Sequence, residues 1–213
     1  MSDFINTIDI LGDEAVIDSI INRTITEFKD DRMSFVGEYA FSECLLTLID
    51  IPNATYIAQR AFLNCYELAS VSIPNVNVIY DNAFKGCEAL TSIVLPSVYN
   101  ILTGAFEDCT SLTTVDIHTV CSIKTKNFYN CESLNTLIIR GTSGVPEMPY
   151  ADCLGNTPIA NNRGYIYVPR ALVDSYKAAN NWSVYAGTNQ IVALEDYTLD
   201  GTVMGEWQSK KLR

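Results

Sequence analysis

The stretch Asp81-Asn82-Ala83-Phe84-Lys85-Gly86-Cys87-Glu88-Ala89-Leu90-Thr91-Ser92-Ile93-Val94-Leu95-Pro96 decides how this chain folds, because its pattern returns along most of the sequence. Cysteines stand at Cys44, Cys65, Cys87, Cys109, Cys131 and Cys153, in one step of 21 residues and then steps of 22, with only Cys121 out of line. Three residues before each comes an aromatic: Phe41, Phe62, Phe84, Phe106, Phe128 and, in the last copy, Tyr150. A small residue precedes most of these (Ala40, Ala61, Ala83, Ala105), with Asn127 and Pro149 as departures. Downstream of the cysteines runs Leu-x-x-apolar-x-apolar, as in Leu68, Val71, Ile73; Leu90, Ile93, Leu95; Leu112, Val115, Ile117; and Leu134, Leu137, Ile139. Pro52, Pro74 and Pro96 close three copies, and Val36, Ile57, Ile79, Ile101 and Ile123 lie five positions before the phenylalanines.

Alternation within each copy predicts a short strand. In Ser70-Val71-Ser72-Ile73 and Thr114-Val115-Asp116-Ile117 the apolar side chains point into the coil and the polar ones face out. Proline after the strand ends the pairing, since it has no donor for the ladder. A single such coil cannot bury its own apolar face, so the copies must stack, each pairing with its neighbours.

These motifs resemble the BspA-like leucine-rich repeats of bacterial surface proteins, over roughly residues 34–153. The resemblance implies an α/β repeat solenoid: a right-handed coil with a parallel β-sheet on one face, closed by N- and C-terminal caps. It implies a binding or adhesive role rather than a reaction. Residues 1–33 are expected to form the N-terminal cap, 34–158 about six coils, and 159–213 a C-terminal capping module.

The N-terminal cap combines an amphipathic stretch (Val16, Ile17, Ile20, Ile21) behind Asp13-Glu14 with a candidate first strand at Thr24–Phe28. Phe4, Ile5, Ile8 and Leu11 fit a helical face ended by Gly12, with a strand from Thr7 to Leu11 as the competing reading. After a turn-rich junction at 155–164, Tyr165–Val168 reads as a strand. Pro169 suits a first helical position, Leu172, Val173, Tyr176 and Ala179 share one helical face, and Gln190–Leu194 reads as a last strand. This unit resembles the module that follows such repeats in bacterial and prophage-encoded relatives, and its expected task is to cover the last coil. Tyr197–Leu199, Asp200-Gly201 and Thr202–Met204 have the form of a tight hairpin.

Of the 213 residues, 48% are hydrophobic, enough for one domain with a core, and the formal net charge is −11. That charge repels nucleic-acid backbones and anionic lipid, so neither is expected as a partner. Eight acids against Arg23 and Lys29 in residues 1–31 predict a solvated outer face there. No apolar run is long enough for membrane insertion, and the start Met1-Ser2-Asp3-Phe4 carries no recognisable secretion signal.

Seven cysteines invite a metal or disulfide reading, yet no two stand in the close pairs that zinc sites use. Stacked coils would hold equivalent thiols parallel, about one strand spacing of ~4.8 Å apart, which is poor disulfide geometry. A ladder of reduced, buried thiols is therefore expected. His118 replaces the repeat's proline three residues before Cys121, but no orienting group or oxyanion pocket accompanies that pair, and no cofactor-binding or hydrolase fingerprint occurs elsewhere. The chain reads as a non-enzyme without cofactor.

The outward columns of the strands are the candidate ligand-binding surface. One reads Ser70, Ser92, Thr114, Thr136; the next Asp50, Ser72, Val94, Asp116, Ile138, with Val94 and Ile138 expected as exposed apolars in a strip for a protein or glycan partner. Tyr56, Tyr80, Tyr99 and Tyr129 offer a second surface, since tyrosine makes rigid amphipathic contacts. The alternative to a surface adhesin is a prophage-encoded, virion-associated structural or host-recognition protein.

Overall fold

In a computed structural model, which describes residues 20–119, 122–199 and 209–211, the repeat winds into stacked coils. In chain order the coils contribute β1 (Glu27–Lys29), β2 (Phe35–Val36), β3 (Leu48–Asp50), β4 (Tyr56–Ile57), β5 (Ser70–Ser72), β6 (Val78–Ile79), β7 (Ser92–Leu95), β8 (Asn100–Ile101), β9 (Thr114–Ile117), β10 (Ser122–Ile123) and β11 (Thr136–Ile139). Further on lie β12 (Tyr165–Val168), β13 (Ile191–Ala193), β14 (Tyr197–Leu199) and β15 (Ser209–Lys211).

Two parallel walls result, where one sheet was expected. The front holds β1-β3-β5 and β7-β9-β11-β12-β13; the back holds β2-β4-β6-β8-β10. Register is kept by residue column, Ile93 beside Val115 and Val115 beside Leu137 in front, Ile57 beside Ile79 and Ile79 beside Ile101 behind. Eight front strands make about eight turns with little helix, and the front sheet crosses both boundaries set from the sequence, at 33/34 and 158/159.

Proline shapes the front ladder. At the position where Pro52, Pro74 and Pro96 have no N–H, His118 donates to the Leu95 carbonyl at 3.1 Å and Arg140 to that of Ile117 at 2.8 Å. The front strands β7, β9, β11 and β12 run to four residues and the earlier front strands β1, β3 and β5 to three. The ladder is interrupted between β5 and β7. Pro96 takes one donor from that junction, but Pro74 does the same at the junction before it, which still pairs; proline alone is not the cause.

Between the walls run the phenylalanines. Phe41, Phe62, Phe84, Phe106 and Phe128 are fully buried and stack with ring centroids 5.0–5.7 Å apart and planes within 10°. Beside them the thiols are free and buried, and four of them donate to a phenylalanine carbonyl of the preceding coil: Cys65 to Phe41 at 2.9 Å, Cys87 to Phe62 at 3.3 Å, Cys109 to Phe84 at 3.2 Å, Cys131 to Phe106 at 3.1 Å. Burial pushes the thiols up, to about 11 at Cys44 and about 12 at Cys65, Cys109 and Cys153.

The turn carrying each Phe and Cys needs two left-handed residues. One column is Tyr39, Arg60, Asn82, Gly104, Lys126; the other is Glu43, Asn64, Gly86, Asp108, Asn130, Asn156. Gly86 has φ +75°, and a Cβ there would meet Asn64 Oδ1 at 2.6 Å. Gly86→Ala is expected to cost about 1–2 kcal/mol, and Gly86→Asn less, since asparagine tolerates this conformation elsewhere in the column. Urea melts of the two variants check the order.

The sixth copy departs from the register expected of it. Phe128 N–H donates to the Cys153 carbonyl where earlier phenylalanines reach the residue before the next phenylalanine, and Asn130 N–H reaches Gly155. Leu154 therefore fills the aromatic column and Thr157, fully buried, the thiol column, its hydroxyl donating to Leu154 O at 2.7 Å. Tyr150 is 58% exposed, so its spacing from Cys153 is a coincidence of sequence. Leu154 stands four residues later than the 22-residue step from Phe128 would place it, and three of the four already lie ahead of Glu147, which pairs with Ser122.

Beyond it, β12 and β13 extend the front sheet in parallel, joined by the helix Val173–Ala178. Tyr176 and Trp182 are buried edge to face, 5.2 Å apart, and Trp182 Nε1 donates to Pro146 O at 2.9 Å. β14 pairs antiparallel with β15, and the Thr202–Met204 strand expected of the hairpin lies outside the described residues. So do the N-terminal readings before Ile20, whereas the expected strand near Phe28 is β1, parallel to β3.

Candidate recognition surface

The outward columns of the front sheet are not uniformly open. Ser72 is exposed and Asp50, Ser70, Ser92, Val94 and Thr136 are half-buried, whereas Thr114, Asp116 and Ile138 are 4%, 3% and 0% exposed. Ile138 is thus no exposed apolar, and Thr114 and Asp116 are covered with it, while Thr136 on β11 stays half-buried like Ser70 and Ser92. Alternation says which way a side chain points, not what lies over it.

Asp116 is covered by its own ion pair. Arg140 lays its guanidinium across the carboxylate, Nε to Oδ1 at 2.8 Å and Nη2 to Oδ2 at 2.7 Å, and His118 Nε2 sits 3.4 Å from Oδ1. In the register of Ile138, Tyr167 is 2% exposed and meets Tyr197 edge to face at 5.2 Å. Arg140→Met would leave a buried carboxylate without its cation and is expected to cost about 3 kcal/mol, read as a lowered denaturation midpoint.

At the other end, beside the open half, Lys29, Asp30, Asp31, Arg32, Asp50 and Pro52 line a depression of about 340 Å³. Hydrogen bonds from Arg32, whose Nη2 is 2.8 Å from Asp30 Oδ2, hold the Asp30 carboxyl below its ordinary range. Among the described residues no group of three or more His, Cys, Asp or Glu is placed to hold a metal ion, and no helix is long and apolar enough to cross a membrane. Cys121, the partner imagined for His118, lies outside them.

The back sheet holds Tyr56, with Tyr80 just after β6 and Tyr99 just before β8, 36%, 40% and 45% exposed, while Tyr129 stands apart under Lys126. Phe35, which the sequence did not single out, stacks on Tyr56 at 5.0 Å and 11°.

The BspA type leucine-rich repeat region matches residues 34–155 in six copies. The chain belongs to this family. Solved structures agree with the stacked coils: a leucine-rich repeat protein of T. pallidum superposes with TM-score 0.52 at 24% identity, over 71% of this chain and 75% of that one. The pneumococcal vaccine antigen PcpA gives TM-score 0.56 at 16% identity, over 80% of this chain and 40% of its own. A leucine rich cell surface protein of Faecalibacterium prausnitzii gives 0.49 at 23% identity, over 83% of this chain and 45% of that one. No curated protein matches the sequence. Within the BspA-type region, the shift in the sixth copy falls at the matched segment's end.

Proposed function

We propose that this chain is a non-enzymatic recognition or adhesion scaffold that holds a protein or glycan partner, without cofactor, against the open half of its front sheet. The observation that carries the reading is the asymmetry of that sheet: hydroxyl and acidic side chains from Asp50 to Val94 remain accessible beside the depression at Lys29–Arg32, while Thr114, Asp116 and Ile138 are covered. Side chains held by the β3–β5 and β7–β9 pairings, on either side of the break, are in place before a partner arrives, which lowers the ordering cost of binding. A bacterial surface is the setting that the family resemblance suggests.

Binding to arrays of host-surface glycans and purified extracellular proteins tests this. Saturable binding is expected, weakened at least tenfold by Asp50→Ala with Ser72→Arg at unchanged melting temperature. Binding indifferent to that pair would place the site elsewhere.

A further inference from the structure

We propose that the back sheet carries a second binding surface, fitted to a neutral glycan. Its outward side chains include Phe35, Thr55, Tyr56, Asn77, Tyr80 and Tyr99, and none of the residues 34–35, 55–56, 77–80 and 99–102 is charged, in a chain of net charge −11. The open stretch ends at β10, where Ser122 is buried and paired in parallel with Glu147.

Three aromatics make a connected platform. Phe35 and Tyr56 are stacked, and Tyr80 follows 6.1 Å from Tyr56 with its plane turned 72°, so the cluster ends in a ring set across the stack, and both tyrosines remain partly exposed. The electron-rich face of such a ring attracts the weakly positive C–H edge of a sugar, as it does the edge of another ring. Beside it, the Asn77 amide and the Thr55 hydroxyl, whose proton goes to Ser34 O but whose oxygen can still accept, offer hydrogen bonds to sugar hydroxyls. Charge decides the ligand class. An uncharged platform gives an anionic glycan no cation to pair with, and the net negative protein repels it, whereas a neutral polysaccharide meets neither cost. The surface lies on the opposite wall from the front strip and stands independently of it.

Affinity electrophoresis and calorimetry with laminarin, mannan and dextran, against heparin and polysialic acid, test the proposal. Saturable binding to at least one of the three neutral polysaccharides is expected. Tyr56→Ala with Tyr80→Ala, both partly exposed, should weaken it at least tenfold without moving the melting temperature, while Asp50→Ala with Ser72→Arg leaves it unchanged. Failure of every neutral polysaccharide to bind, binding indifferent to the tyrosine pair, or binding confined to the two anionic polymers would overturn it. A partner still held by the front strip would leave that separate reading standing.

Discussion

Raising the pH from 8 to 10 is expected to remove most of this protein's stability. Six buried thiols ionise near 9 when the chain is unfolded, but burial raises all six in the fold, to about 11 at Cys44 and about 12 at Cys65, Cys109 and Cys153. Below pH 9 both states keep the proton and nothing is lost. Above it the unfolded chain sheds protons that the folded one retains, so stability falls until the folded values are reached. One unit above the unfolded value the loss is roughly 1 kcal/mol per thiol, on the order of 6–8 kcal/mol for six, against a usual total of about 5–15. Guanidinium unfolding under reductant at pH 7, 8, 9 and 10 measures it. Cys109→Ala with Cys131→Ala should flatten the slope, and a midpoint constant from pH 8 to 10 would contradict the buried ladder.

Phe84→Ala should cost about 3–5 kcal/mol. The ring is fully buried and stacks on both sides, 5.0 Å from Phe62 and 5.3 Å from Phe106, so its loss opens a cavity between two coils whose spacing the backbone ladders fix. Phe84→Leu should cost less, which separates volume from ring stacking. A denaturation midpoint unchanged in the alanine variant would contradict the core placement.

The inward half of the fold was legible because a dry interior admits few residue types, and at each column the same ones recur. Phe84, Cys87, Leu90 and Ile79 say where they sit. The left-handed positions were legible in part and were missed: Asn64, Gly86, Asp108 and Asn130 precede successive cysteines, and these residue types favour positive φ, but Tyr39 and Arg60 mask the companion column. The sixth copy misled because Tyr150 and Cys153 keep the right spacing by chance while a four-residue insertion moves Leu154 and Thr157 into their places. On the outer surface, sequence gave direction without cover. Ser72 and Ile138 alternate alike, yet one is open and the other closed, because Ile138 has Tyr167 as its lateral neighbour in a strand that no repeat announces.

The missing rung between β5 and β7 makes the two walls unequal in tension. Along most of the length a pull on the ends is shared by the front ladder, the back ladder and the turn bonds; at that seam the front ladder is lost, leaving β6–β8 and the turn bonds from Asn82, Phe84 and Gly86 N–H to the Thr103, Ala105 and Glu107 carbonyls to carry it with the stacked rings. Under axial load the molecule should part there first, yielding a short forward segment and a longer rear one rather than unravelling from either tip.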